Sequence, residues 1–286
     1  MARCWSRHPR ACDASSPAKS PCESIDEPLM STLLVDIGNT RVKWAVLSGV
    51  RQGRMQAAAH ENSGLALRAL VRGAPTDIHR ILVVSVVDEA LSRVLDAAAR
   101  RRFGITPEYI TSSRRAHGVT NGYRDTWRLG ADRWVSAVGA HALARGRPAV
   151  IANVGTALTI DVVSAAGRHR GGAIVPGPAA MVESLKSGTH GIRRRASGDQ
   201  AAAPRSLFAT DTANALAAGA HYAAAAFVDR ALLEARRTMG GRPLLILTGG
   251  AATALQRQLE SPAQRVPDLV LRGLAVFANA QARVEA

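Results

Sequence analysis

The sequence predicts an α/β fold of two similar lobes, and three observations predict it. Short apolar, β-branched runs alternate with stretches whose apolar residues recur at helical spacing. A unit of buried strand, Asp or Asn with Gly-Thr, and returning strand occurs twice, near residues 35 and 153. A chain of 286 residues, 47% of them apolar, can bury two modest cores but not two large domains.

The elements follow in order. Thr32 to Asp36 is a short apolar run ending in Asp and Gly, a buried strand entering a turn, and Arg41 to Ser48 alternates as the second arm of a hairpin does. Ile81 to Val87 is another buried strand, while Gly64–Arg72 and Glu89–Arg101 carry helical spacing. Gly130 to Ala144 reads as a helix with Asp132 in its first turn. The pattern then starts over. Pro148 to Val154 runs into Gly155 and Thr156, Leu158 to Ser164 returns, and Gly167 turns into a strand containing Gly-Gly-Ala-Ile-Val-Pro-Gly, ending at Gly177. Glu183–Gly188 and Asp211–Arg237 read as helices, Leu244–Leu247 as a strand ending in Thr248-Gly249-Gly250, and Asp268–Ala282 as a closing helix. The repeat sets the lobes at 30–145 and 146–286.

Residues 1–29 have a different character. They are Ser/Pro-rich, aperiodic and mixed in charge, and they hold all three cysteines (Cys4, Cys12, Cys22). They read as a disordered extension or an upstream-assigned start. No apolar core of a secretory signal is present, and the acids Asp13, Glu23, Asp26 and Glu27 argue against a mitochondrial presequence. With no cysteine after Cys22, disulfides cannot hold the fold. No run approaches the roughly 18 apolar residues of a membrane span. The expected location is cytoplasmic.

The formal charge of +15 is almost all arginine; the lysines are Lys19, Lys43 and Lys186. The arginines are scattered, few aromatics lie between them to stack bases, and no nucleic-acid-binding pattern is present. An anionic small-molecule substrate accounts for the charge, and no nucleic-acid partner is expected. The eight histidines show no ligand spacing and read as surface or loop residues.

Three motifs carry chemistry. In the first, Asp36-Ile37-Gly38-Asn39-Thr40 runs into Arg41-Val42-Lys43. A turn with Gly38 lets backbone N–H groups approach a phosphate, Asn39 and Thr40 add donors, and Asp36 suits Mg²⁺. Alone, the same residues make an ordinary hairpin with an Asx-type turn. The second is Asn153-Val154-Gly155-Thr156-Ala157, with Thr159 and Asp161 following; paired with the first it suits a triphosphate clamp. The third is Leu247-Thr248-Gly249-Gly250, whose small residues would let an adenine lie against backbone. No Walker A loop occurs.

The order of Asp-Ile-Gly-Asn-Thr, Gly-Ala-Asp-Arg (130–133), the Gly-Thr-Ala turn, Gly-Gly-Ala-Ile-Val-Pro-Gly and a late Thr-Gly-Gly resembles the type III pantothenate kinases over about residues 30–286. That family lies within the superfamily of actin-like ATPases, sugar kinases and acetate kinase. The resemblance implies two actin-like (ribonuclease H-like) lobes with a nucleotide cleft between them, and ATP- and Mg²⁺-dependent phosphorylation of pantothenate by a homodimer. It implies that Asp36, Ile37, Gly38, Asn39, Thr40, Arg41, Val42, Lys43 and Thr156 bind ATP. It also implies that Asp132 is the general base, and that Tyr123, Gly130, Ala131, Asp132, Arg133 and Thr212 contact pantothenate, Thr212 often from the partner subunit. Arg133 would meet a carboxylate or phosphate with its planar fork. One departure matters. Asn153 stands where the family usually has the aspartate that holds a monovalent cation, K⁺ or NH₄⁺, so that site loses a full charge. Two rival functions remain open at this point: a kinase for another hydroxylated substrate, and a non-enzymatic regulatory protein of the Bvg accessory factor type.

Overall fold

The computed structural model describes residues 31–59, 63–87, 89–196 and 204–281, so the extension expected over 1–29 lies outside the described residues. The first sheet comprises β1 (Ser31–Ile37), β2 (Arg41–Ser48), β3 (Arg51–Gln52), β4 (Gln56–Ala59), β5 (Ile78–Ser85) and β6 (Glu108–Tyr109). Its order is β3-β2-β1-β5-β6, with β4 also on β2. A small hairpin, β7 (Arg115–Ala116) and β8 (Val119–Thr120), follows it. The second sheet comprises β9 (Ala149–Val154), β10 (Ala157–Val163), β11 (His169–Pro176), β12 (Leu244–Thr248) and β13 (Gln264–Arg265), in the order β11-β10-β9-β12-β13. In both sheets the leading strand pairs antiparallel with the next and parallel with the strand after a helical crossover. The repeat read from the two Gly-Thr turns is therefore a repeat of topology.

The helices are α1 (Ser63–Gly73), α2 (Glu89–Phe103), α3 (Ala131–Ala144), α4 (Pro178–Gly188), α5 (His190–Arg195), α6 (Thr212–Met239), α7 (Ala252–Leu255) and α8 (Leu269–Gln281). Period-two alternation assigns the faces of each strand. Leu33, Val35 and Ile37 of β1 join Leu67, Leu70 and Leu95 of α1 and α2 in one core. Leu34, from the opposite face, joins Trp134, Val138, Leu271 and Leu274 of α3 and α8 in another. In the second sheet Leu158 and Ile160 face α6, whereas Ile151 and Val163 face Ala137 and Ala140 of α3.

Helix α3 thus packs on both sheets. Arg133 through Ala140 are all buried, as a helix enclosed on every side requires. The C-terminal α8 crosses it and reaches β1 and β5 of the first sheet. Gly139 and Gly273 permit that crossing: a Cβ on either would press into the other helix's backbone. Helix α4 starts at Pro178, earlier than the periodicity indicates, because proline is accommodated in a first turn.

Candidate active site

The Asp36–Lys43 segment forms the β1–β2 hairpin. The Gly38 N–H donates to the Arg41 carbonyl at 3.0 Å, closing the turn. Ile37 and Val42 are buried, and Asn39, Thr40 and Arg41 are exposed at the tip. Asp36 lies opposite Lys43 in register, with Nζ 4.0 Å from Oδ2. By alternation Asp36 shares the face of Leu34, toward α3. Burial raises its carboxyl to about 6; Lys43 opposes the shift and Asp132 adds to it.

Asp132 sits in the first turn of α3. Its Oδ1 accepts the Arg133 backbone N–H at 2.8 Å, an orphan donor of the helix start. A Cβ on the capping Gly130 would fall 2.8 Å from that oxygen, which explains why glycine precedes Ala131 and Asp132. Burial raises the Asp132 carboxyl above its ordinary range. The Arg133 N–H and charge pull the other way, and Asp161 adds to the rise.

Arg133 behaves differently from the sequence-based expectation. Its fork is turned inward onto Asp161 of β10, Nε to Oδ2 and Nη2 to Oδ1, both at 2.8 Å. Only 8% of Arg133 and 2% of Asp161 is exposed, so the face expected to meet a substrate carboxylate is already engaged. Nη1 donates to the Tyr123 hydroxyl at 3.2 Å, and the guanidinium carbon lies 5.8 Å from the centre of that ring. Asn121 Oδ1 accepts the Tyr123 N–H at 3.0 Å and fixes the approach. His169, at the start of β11, completes the group with Nε2 2.8 Å from Asp161 Oδ1. It is fully buried, contrary to the surface position expected of it. His141 and His221 likewise each carry a buried, unpartnered Nδ1.

The glycines of the longer motif follow from these neighbours. A Cβ on Gly172 would collide with the Ile160 carbonyl and crowd the Arg133 guanidinium; one on Gly177 would collide with the Gly155 carbonyl. The second turn is closed by Gly155 N–H to Ala157 O at 3.0 Å and tied to Gly177 by its N–H to Thr156 O at 2.8 Å. Asn153 pairs in register with Thr248 on β12. Gly249, at φ +92°, backs onto the Val154 carbonyl and Asn153 Oδ1, where a side chain has no room. The second and third motifs therefore meet.

Carboxylates from both sheets, with Lys43 of the first sheet and Arg133 of α3, thus gather toward the N-terminal end of α3. Thr212 opens α6 behind its cap Asp211, and no hydrogen bond or ion pair among the described residues ties it to this group. The sequence placed Asp161 after the second Gly-Thr turn without indicating its pairing with Arg133, and it gave no role to His169 or Asn121. The available signal for Asp161 was an acid in an otherwise apolar buried strand. A groove of about 950 Å³ lies elsewhere, between α1 and α2, lined by Arg68, Arg72, Arg93, Arg101 and Arg102.

Among the described residues no three His, Cys, Asp or Glu side chains gather to hold a metal. Mg²⁺ ordinarily needs only one or two carboxylates beside substrate phosphates, and Asp36, buried at the base of the hairpin, fits that demand.

The family model for type III pantothenate kinase matches residues 32–234. The chain belongs to that family. A type III pantothenate kinase of Nitrosococcus oceani is 36% identical over 88% of this chain and 95% of the relative. One of Aromatoleum aromaticum is 38% identical over 87% and 98%. Among solved structures, a Sinorhizobium meliloti protein described as a 2-dehydro-3-deoxygalactonokinase matches with a TM-score of 0.54 at 13% identity, covering 88% of this chain and 99% of that one. That likeness is one of fold, and the fold is the actin-like one. Family membership brings ATP and a divalent metal with it.

Proposed function

We propose that this protein transfers the γ-phosphoryl group of ATP to the hydroxyl of pantothenate, giving 4′-phosphopantothenate and opening coenzyme A biosynthesis. The observation that carries the reading is Asp132 at the start of α3, the helix packed on both sheets, with its Oδ1 on the Arg133 N–H and with Asp36 on the sheet face turned toward that helix. The hydroxyl oxygen attacks the γ-phosphorus as the bond to ADP breaks, and the hydroxyl proton passes to the Asp132 carboxylate. Phosphoryl transfer needs positioning and charge neutralisation above all. The hairpin from Asp36 through Lys43 and the Thr156 turn supply both for the phosphates, and Asp36 would hold a divalent ion that offsets their charge. A raised carboxyl is closer to the affinity for protons that a base needs near neutral pH.

Tyr123, Gly130, Ala131 and Arg133 border the acceptor. With its fork on Asp161, Arg133 acts through its charge and through Nη1 beside the Tyr123 hydroxyl. Further parts of the proposal are the lobe division near residue 145, a cytoplasmic homodimer in which Thr212 serves the partner's site, and a weakened monovalent-cation position at Asn153. Among the described residues no helix is long and apolar enough to cross a membrane. A regulatory, non-enzymatic role is not favoured by the family. The test is ADP release coupled to NADH oxidation, with and without pantothenate. Pantothenate-dependent release supports the reading, and release independent of pantothenate, or none, overturns it.

A further inference from the structure

We propose that His169 is a positioning residue for the acceptor side of the site: it holds Asp161, which holds Arg133 against Tyr123. The inference rests on the kinase reading above. It starts from the hydrogen-bond inventory of one buried carboxylate. Asp161 Oδ2 accepts from Arg133 Nε, and Oδ1 accepts from both Arg133 Nη2 and His169 Nε2, all at 2.8 Å. A carboxylate that pairs with a guanidinium through both oxygens can only accept, so the imidazole proton is on Nε2. Nδ1 has no partner among the described residues.

That inventory is unusual for a side chain kept only for packing. The imidazole is completely buried, and its one side-chain hydrogen bond among the described residues goes to the Asp161 carboxylate. An apolar side chain of similar size would fill the space but leave that carboxylate without its third donor. Two glycines make room for the arrangement. Gly122 lies against the His169 backbone and ring, and Gly172 lies under the Arg133–Asp161 contact; a Cβ at either would collide with backbone. Gly122 also immediately precedes Tyr123, whose ring centre is 5.9 Å from that of His169. The chain from β11 to β10 to α3 therefore ends on the residues that border the acceptor, and none of its members belongs to the nucleotide hairpin.

A third donor removes the carboxylate's remaining freedom to rotate about its Cβ–Cγ bond. Without it, Asp161 can turn and carry Arg133 Nη1 away from the Tyr123 hydroxyl. Misplacement of a positioning group by about 1 Å costs up to about 100-fold. The effect should fall on pantothenate and spare ATP.

The experiment is steady-state ADP release for the full chain and for His169→Leu and His169→Gln, varying pantothenate and ATP separately, with melting curves for each. Expected is a fall of about 10–100-fold in kcat/KM for pantothenate in His169→Leu, with KM for ATP within about twofold of the parent. His169→Gln, which keeps a donor, should recover most of the loss. Unchanged kinetics in a folded His169→Leu, equal losses toward both substrates, or no recovery in His169→Gln would overturn the proposal. The ¹⁵N-imidazole NMR spectrum of the unaltered protein reads the geometry without activity. A slowly exchanging Nε2–H supports it, an Nδ1–H tautomer overturns it, and either stands even if pantothenate proves not to be the substrate.

Discussion

Arg133 and Asp161 clasp each other across the seam between α3 and the second sheet, with two parallel N–H···O bonds of 2.8 Å each. The pair fastens the helix that carries Asp132, the proposed general base, to the sheet that carries the second Gly-Thr turn. Both groups are buried, so each depends on the other for compensation of its charge. Asp161→Ala is therefore expected to destabilise the protein by about 3–5 kcal/mol in urea unfolding. Replacing both members with apolar residues of similar volume should cost much less than the two single changes together, because no uncompensated charge remains. Equal stability of the single and parent proteins would show that the pair is not closed in solution.

Asp36 makes stability pH-dependent in a defined sense. Its carboxyl ordinarily titrates at 3.8 and is raised to about 6 in the folded protein, chiefly by burial. The folded state thus binds the proton more tightly than the unfolded one. The contribution is complete below the unfolded value and is lost as pH rises through about 6. A shift of that size corresponds to roughly 3 kcal/mol. Asp36→Asn, neutral throughout, should melt higher than the parent at about pH 7.5 and near it at about pH 4. It should also raise the nucleotide KM and the Mg²⁺ requirement. A melting difference that does not change with pH would contradict the burial of this carboxyl.

Two helical glycines should respond in opposite ways to alanine. Gly273 faces the Val135 backbone at the α3–α8 crossing, where a Cβ collides. Gly273→Ala should cost about 1–3 kcal/mol. Gly219, within α6, has open space around its missing Cβ, and Gly219→Ala should stabilise by about 0.5–1 kcal/mol through reduced backbone entropy of the unfolded chain. Thermal melting of the two variants checks both signs.

How far the sequence foretold this molecule follows from which forces act locally. The two hairpins, the main helices and the topological repeat were legible, because strand alternation and helical spacing record burial directly. The two-residue strands β3, β6 and β13 were not, since an edge pairing that short leaves no period to read. The motifs drew attention to Asp132 and to the two Gly-Thr turns. They named Asp161 only as a residue following the second turn and left out His169; the part both play comes from a meeting of α3, β10 and β11 that no local pattern encodes. The motif made Arg133 a contact for a substrate carboxylate or phosphate, whereas its fork is turned onto a carboxylate 28 positions away.

Asn153 bears on cation dependence. Its side chain shares the α3-facing side of β9 with Ile151, and its Oδ1 lies against Gly249. An amide keeps an oxygen acceptor but removes a formal charge, so a cation there should bind more weakly than at a carboxylate. Rates at saturating ATP and pantothenate, titrated with KCl, NH₄Cl and NaCl at fixed ionic strength, should show activation only at high concentration or none. Asn153→Asp should strengthen the response. Saturating K⁺ activation in the low millimolar range for the unaltered protein would contradict this.

The central claim is that Asp132 takes the proton from pantothenate, and the turnover of Asp132→Asn tests it most directly. The substitution keeps the shape and the Oδ1 acceptor for the Arg133 N–H while removing the basicity. In the pantothenate-dependent ADP-release assay, kcat is predicted to fall by about 10²–10⁴-fold with KM for ATP little changed. Turnover close to that of the parent protein would contradict the assignment.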